Sequence, residues 1–243
     1  MRPLHRAAFA LLLTIVVAGC GGGDAGLVDE STEVRVGQQT AANVEAKYGL
    51  ADDPAANQRV TRIGRRLVAQ TDRQTLPWSF KVLDSTEVNA LAAPGGFIYV
   101  TKGLLGAVGS DDQQLAGVIG HECAHVTRRH AAKAIEQAVG AEIALEVLLG
   151  GEKEAVQAAA TIATELILSQ DYRDAEFEAD HDGTLFAFKG GYQANGLLRF
   201  LQYLHTKYGD QSKVVTWFGT HPQTSKRMTR LREQLKEMGQ PAA

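Results

Sequence analysis

The stretch GVIGHECAHVTRRHAAK, residues 117–133, constrains the fold more than any other part of the chain. His121 and His125 stand four residues apart, with Glu122 directly after the first. On an α-helix that spacing leaves two side chains only about 40° apart around the axis, one turn above the other. Both imidazoles can then face one ion. Glu122 sits beside them, offset towards an open coordination position, where it can take a proton from water activated by zinc. This is the chemistry of an HExxH motif. Histidine pairs on helices also occur without metal, so the rest of the chain must supply a helix, a third ligand and a place for substrate.

A length of 243 residues suits one or two domains with a substantial core. The formal charge of −3, without a long basic run, argues against a nucleic-acid partner. Arg2, His5 and Arg6 precede the apolar run AAFALLLTIVVAG, which reads as a secretory signal over residues 1–19 and is too short to span a bilayer comfortably. Val17-Ala18-Gly19-Cys20 looks like a bacterial lipobox, in which Cys20 is acylated and becomes the mature N-terminus. A plain signal or an uncleaved anchor is the alternative. GGGDAG then reads as part of a flexible tether over residues 20–30, ahead of a single domain at 31–240. The other cysteine, Cys123, lies inside the motif, so no disulfide framework is available and stability must come from a core.

Residues 31–73 read as two helices broken at Asp52-Asp53-Pro54, the second carrying Val60, Ile63 and Leu67 at helical spacing. From Trp78 the pattern alternates. WSFKVLD, TEVNALAA and FIYVT predict a small antiparallel sheet, with Pro94-Gly95-Gly96 as the turn before the last strand. Ser110 with Gln113 resembles a capping box opening the motif helix, whose Leu115, Val118 and Ile119 form an apolar stripe. Helices are expected through 134–170 with a break near Gly150-Gly151, from Asp174 to Lys189, and over about 193–208 and 223–238. The fold class is α+β: a mostly helical domain with a small sheet beside the motif helix.

The third ligand tests the motif. His130 lies five residues beyond His125, about 140° around a continuous helix, and reads as a partly exposed polar contact. Downstream, RDAEFEADHDG places Glu176 and Asp180 on one helical face, with Glu178 nearly opposite. A second helix packed beside the first would offer Glu176 as a carboxylate ligand, with Asp180 accepting from a liganding imidazole. The same run also reads as a solvated acidic face.

HECAH followed about fifty residues later by RDAEFEAD resembles the zinc metallopeptidases of the HtpX and CaaX-prenyl-protease type, peptidase family 48 of the metallo class. NALAAPGGFIYVTKGLL, residues 89–105, is similar to that family's strand-turn-strand, and GTHPQTSKRMTRL, residues 219–231, to its HPxxxxR segment. The family's aromatic-Ser-Arg is replaced here by Asp171-Tyr172-Arg173, and its integral-membrane helices are absent. The resemblance implies a zincin-like fold and one zinc ion per chain, held by His121, His125 and Glu176. It implies Glu122 as general base and Asp180 as outer partner. His221 would donate to the developing oxyanion or take the open zinc position when substrate is absent. Arg227 holds the last helix in place. Asn89, Ala90, Leu91 and Ala92 lie in a strand that is either an exposed edge to which an extended peptide adds or a core strand. Cys123, turned away from the ion, reads as a small buried thiol.

The function expected is a zinc-dependent endopeptidase of the bacterial cell envelope. It would be lipid-anchored, facing the periplasm and acting on misfolded or misassembled polypeptides. Gly21 stands where an aspartate would retain the lipoprotein in the inner membrane, so the outer membrane is the expected site. An envelope chaperone with little proteolysis is the rival reading.

Overall fold

The computed structural model describes residues 29–138, 153–169, 173–208, 217–221 and 224–242. The signal, Cys20 and most of the tether lie outside the described residues, as does the expected break near Gly150-Gly151. The first helix, α1 (Glu30–Tyr48), starts where Asp29 accepts from the Thr32 amide at 2.7 Å. In α2 (Pro54–Val68) Asp53 caps and Pro54 occupies the first turn, where its missing N–H costs nothing. Strands β1 (Ser79–Leu83), β2 (Ala90–Ala93) and β3 (Phe97–Thr101) follow. After them come α3 (Lys102–Val108) and the motif helix α4 (Asp112–Thr127). A helical stretch at 130–138 (α5), α6 (Lys153–Ser169), α7 (Arg173–Lys189) and α8 (Gly196–Tyr208) lead to a single turn, α9 (Trp217–Thr220), and to α10 (Thr224–Glu237).

The fold class agrees with the sequence reading, but the sheet is mixed. Its order is β1-β3-β2, with β2 antiparallel and β1 parallel to the central β3. Alternation and the Pro94-Gly95-Gly96 turn determine only the β2–β3 hairpin. The chain leaving β1 crosses the end of β3 before entering β2, and no local signal reports that crossing. Gly95 is required in the turn: φ is 73°, and a Cβ there would lie 2.8 Å from the Val34 Cα of α1. The start of α4 also differs from expectation. Asp111, not Ser110, is the cap, accepting from the amides of Gln113 and Gln114.

Helix α4 is the axis of the domain. Every residue from Leu115 to Val126 is buried, on all faces, which is the condition of a helix enclosed by a core rather than laid upon it. The main cluster joins α2, the inner sheet face through Ala90, Ile98 and Val100, α4, α8 and Trp217. A second cluster sets Leu91, Ala93 and Tyr99 against α1 and Ile167 of α6. Helix α7 meets α4 backbone to backbone at Gly120 and Gly183. A methyl at Gly183 would lie 2.5 Å from the His121 nitrogen and one at Gly120 would lie 2.6 Å from the Gly183 oxygen. That approach brings the acidic residues of α7 to the histidines of α4.

Candidate metal centre and active site

Four side chains converge where α4, α7 and the turn after α9 meet. His121 and His125 come from α4, Glu176 from α7 and His221 from just beyond α9, and all four are buried. His121 Nε2 lies 3.0 Å from His125 Nε2, 3.2 Å from His221 Nδ1 and 3.5 Å from Glu176 Oε2. Glu176 Oε1 is 3.3 Å from His125 Nε2 and 3.1 Å from His221 Nδ1. Ligands held at about 2.0–2.2 Å around a tetrahedral ion stand about 3.3–3.6 Å from one another. These separations are close to those between ligands of one ion.

Charge gives a second test of fit. Glu122, Glu176 and Asp180 are buried carboxylates, and among the described residues Arg227 is the one guanidinium buried with them. Its Nε and a terminal nitrogen donate to both Asp180 oxygens at 2.8 and 2.7 Å, and the other terminal nitrogen reaches Glu176 Oε2 at 2.6 Å. Three carboxylates against one permanent cation draw further positive charge into the site, as a proton on His121 or as a metal ion in its place. Burial alone would raise the pKa of Glu176 and of Asp180. His221, Arg227 and His121 instead hold Glu176 well below the carboxylate range, and Arg227 and His121 lower the pKa of Asp180.

The histidines divide by their neighbours. Burial opposes charge on His121, but Glu176 and Asp180 outweigh it and lift its pKa to about 9. Burial lowers His125 and takes His221 to about 4 despite Glu176. His121 Nδ1 lies 2.9 Å from Asp180 Oδ1, the outer contact expected from the helical spacing of Glu176 and Asp180. Arg227 holds the last helix as expected, and it does more by joining α10 to two site carboxylates and to the His221 carbonyl at 3.2 Å.

Glu122 is not among the converging donors. Burial raises its pKa, and its Oε1 faces His221 Nε2 at 3.4 Å. Neither atom has a hydrogen-bond partner among the described residues. Glu122, His125 and His221 line a cleft that continues past Ala92 and Ala93 of β2 to Ile167. Strand β2 is a sheet edge, with Ala90 and Leu91 buried and Ala92 half-buried. The Asn89 side chain accepts through Oδ1 from the Ala90 amide and from Thr220 Oγ1 at 3.1 Å, tying the start of β2 to α9. Cys123 is a buried free thiol whose pKa burial raises well above its usual value.

Two features were not foreseen. Trp217 is wholly buried and stacks on the His221 ring at 4.0 Å, and its carbonyl accepts from the His221 amide at 2.6 Å. A lone tryptophan near the motif HP carries no sequence signal of this. His130 is the second. It is only 7% exposed rather than a surface contact, and its Nδ1 lies 2.9 Å from His125 Nδ1. Helix α4 stops at Thr127, Arg129 takes φ 58°, and a new helix begins at 130, so the angle computed for one continuous helix does not apply. Glu178 is 60% exposed, as its angle from Glu176 implies, yet its Oε2 is 3.3 Å from His130 Nε2. Burial, then the neighbouring imidazoles, take His130 to about 3, so this contact joins a neutral ring to a carboxylate.

The sequence pattern of peptidase family M48 matches residues 54–235, from α2 to α10. The chain belongs to peptidase family M48. A Vibrio cholerae relative of the beta-barrel assembly-enhancing protease kind is 33% identical over 198 residues, covering 77% of this chain and 41% of its own. The Escherichia coli K12 beta-barrel assembly-enhancing protease is 26% identical over 216 residues, 85% of this chain and 44% of that protein. The mitochondrial metalloendopeptidase OMA1 of Schizosaccharomyces pombe is 26% identical over 208 residues, 84% of this chain and 61% of its own. The chain thus spans about two-fifths to three-fifths of these M48 relatives. Among the described residues no helix is long and apolar enough to cross a membrane.

Proposed function

We propose that this M48 member is a zinc-dependent endopeptidase of the bacterial cell envelope, with residues 31–240 as its catalytic domain. Lipid on Cys20 would tether it to the outer membrane, facing the periplasm. The observation that carries the reading is the convergence of His121, His125, Glu176 and His221, with Glu122 at its side facing a cleft. Two or three imidazoles and one carboxylate suit zinc. Zinc bound there supplies Lewis acidity, making a water nucleophilic near neutral pH and polarising the scissile carbonyl.

The chain's own groups do the rest. Glu122, with its pKa raised by burial, takes the proton of the attacking water and passes it to the leaving amine. Asp180, itself held by Arg227, lies 2.9 Å from His121 Nδ1, close enough to take that ring's proton as acceptor and fix its tautomer when Nε2 ligates. His221 Nδ1 lies 3.2 Å from His121 Nε2 and 3.1 Å from Glu176 Oε1, which supports reading His221 as a cap that would hold the metal at rest and yield when substrate enters. An extended polypeptide would add along the edge of β2 at Ala92, which lines the cleft; Ala90 and Leu91 are buried, and Asn89 already holds the Ala90 amide at the strand's start. The names of the bacterial relatives support misassembled envelope proteins as the substrate class. The test is digestion of casein and of unfolded outer-membrane proteins by the purified chain. Cleavage that a chelator stops and zinc restores is expected; cleavage indifferent to the chelator, or none with zinc present, would overturn the reading.

A further inference from the structure

His125 presents Nε2 to the converging donors, 3.0 Å from His121 Nε2 and 3.3 Å from Glu176 Oε1. A neutral imidazole that ligates through one nitrogen carries its proton on the other, so His125 Nδ1 is then a donor. The atom it faces is His130 Nδ1 at 2.9 Å. Two ring nitrogens at that distance need one donor and one acceptor. His130 Nδ1 must therefore be the acceptor, which places the His130 proton on Nε2. That nitrogen in turn faces Glu178 Oε2 at 3.3 Å. One assignment satisfies every atom: His125 donates to His130, and His130 donates to Glu178.

We propose that His130 is a positioning residue for the metal centre, holding His125 in its ligating tautomer, with Glu178 fixing the tautomer of His130 from the surface. The inference rests on the reading that His125 Nε2 ligates the metal. It gives the two α4 histidines unlike supports. His121 leans on the buried Asp180–Arg227 pair, whereas His125 leans on a neutral ring whose far partner is solvent-exposed. The left-handed step at Arg129 is what turns His130 back onto His125.

The test is zinc affinity measured by chelator competition for wild type, His130→Phe, His130→Asn, Glu178→Ala and Glu176→Ala. His130→Phe keeps a ring but removes the acceptor, and a loss of about 10–100-fold is expected. His130→Asn keeps an acceptor oxygen near the place of Nδ1 and is expected to stay within about threefold of wild type. A role in packing alone gives the opposite order, with Phe retained and Asn impaired, and that order overturns the proposal. Glu178→Ala is expected to cost a few-fold in the wild-type background and nothing beside His130→Asn. Equal losses in both backgrounds would remove Glu178 from the chain. If Glu176→Ala binds zinc as wild type does, the metal reading itself fails. If only Glu176→Ala loses zinc, the reading stands and this inference falls. Should His130→Phe not fold, side-chain ¹⁵N–¹H NMR of the zinc-loaded wild type decides. Protons on His125 Nδ1 and His130 Nε2 support the assignment; a proton on His130 Nδ1 overturns it.

Discussion

Replacing Arg227 with methionine removes the charge on which two buried carboxylates depend. The guanidinium donates to both oxygens of Asp180, to Glu176 Oε2 and to the His221 carbonyl, and the side chain is 0% exposed. Removing one partner of a buried charge network costs about 3–5 kcal/mol, because the charges left behind have no solvent to turn to. In a domain of this size each kcal/mol moves the melting temperature by about 2–4 °C, so the metal-free variant should melt about 6–20 °C below wild type. Zinc should recover part of that loss, since a dication beside Glu176 takes over some of the neutralisation. Arg227→Lys should fall between, because one ammonium cannot serve Asp180 in the two-pronged way. The double variant Arg227→Met, Asp180→Asn should lose less than the two single losses added, as partners in one network do. Thermal unfolding of wild type, the three single variants and the double variant, with and without zinc, is the assay. A metal-free Arg227→Met that melts within 2 °C of wild type would refute the claim that Arg227 neutralises the site.

Three further outcomes are expected. Asp180→Ala should weaken zinc by about 10–100-fold in a chelator competition while leaving Glu176 as a ligand, the usual loss when the outer partner of a metal-binding imidazole is removed. Gly183→Ala should destabilise the fold by about 1–3 kcal/mol in denaturant titration, because the added methyl meets the His121 nitrogen of α4 at 2.5 Å; zinc affinity should fall as well, as α7 and Glu176 are pushed outward. Cys20→Ala should move the protein from the membrane to the soluble envelope fraction on detergent partitioning; retention of both forms in the membrane would refute the tether.

The convergence of the candidate site was legible because its parts obey local rules. The i, i+4 spacing of His121 and His125, and of Glu176 and Asp180, translates directly into shared helix faces, and the structure has both on one site. Pro54, Asp53 and the Pro94-Gly95-Gly96 turn likewise encode conformation within a few residues. What escaped depended on distant parts of the chain or on where one helix stops. The parallel β1–β3 pairing comes from a crossing over β3, which alternation cannot register. His130 was misplaced because the helical angle was carried past Thr127, although only the left-handed Arg129 allows the return. Glu178 was placed correctly as exposed, but its contact with His130 follows from that same turn. Trp217 touches His221 across one helical turn and anchors to Val88, an association between segments far apart in sequence.

The most direct test of the central claim is to measure bound zinc and proteolysis on one preparation of Glu122→Gln. Glu122 stands beside the donor set without belonging to it, and a neutral amide suits its buried position as well as a carboxylate does. One zinc per chain and a melting temperature near that of wild type are therefore expected. Casein cleavage should fall by about 10²–10⁴-fold, the usual contribution of a positioned general base. A metal-loaded Glu122→Gln that still cleaves casein at a rate near wild type would contradict the account.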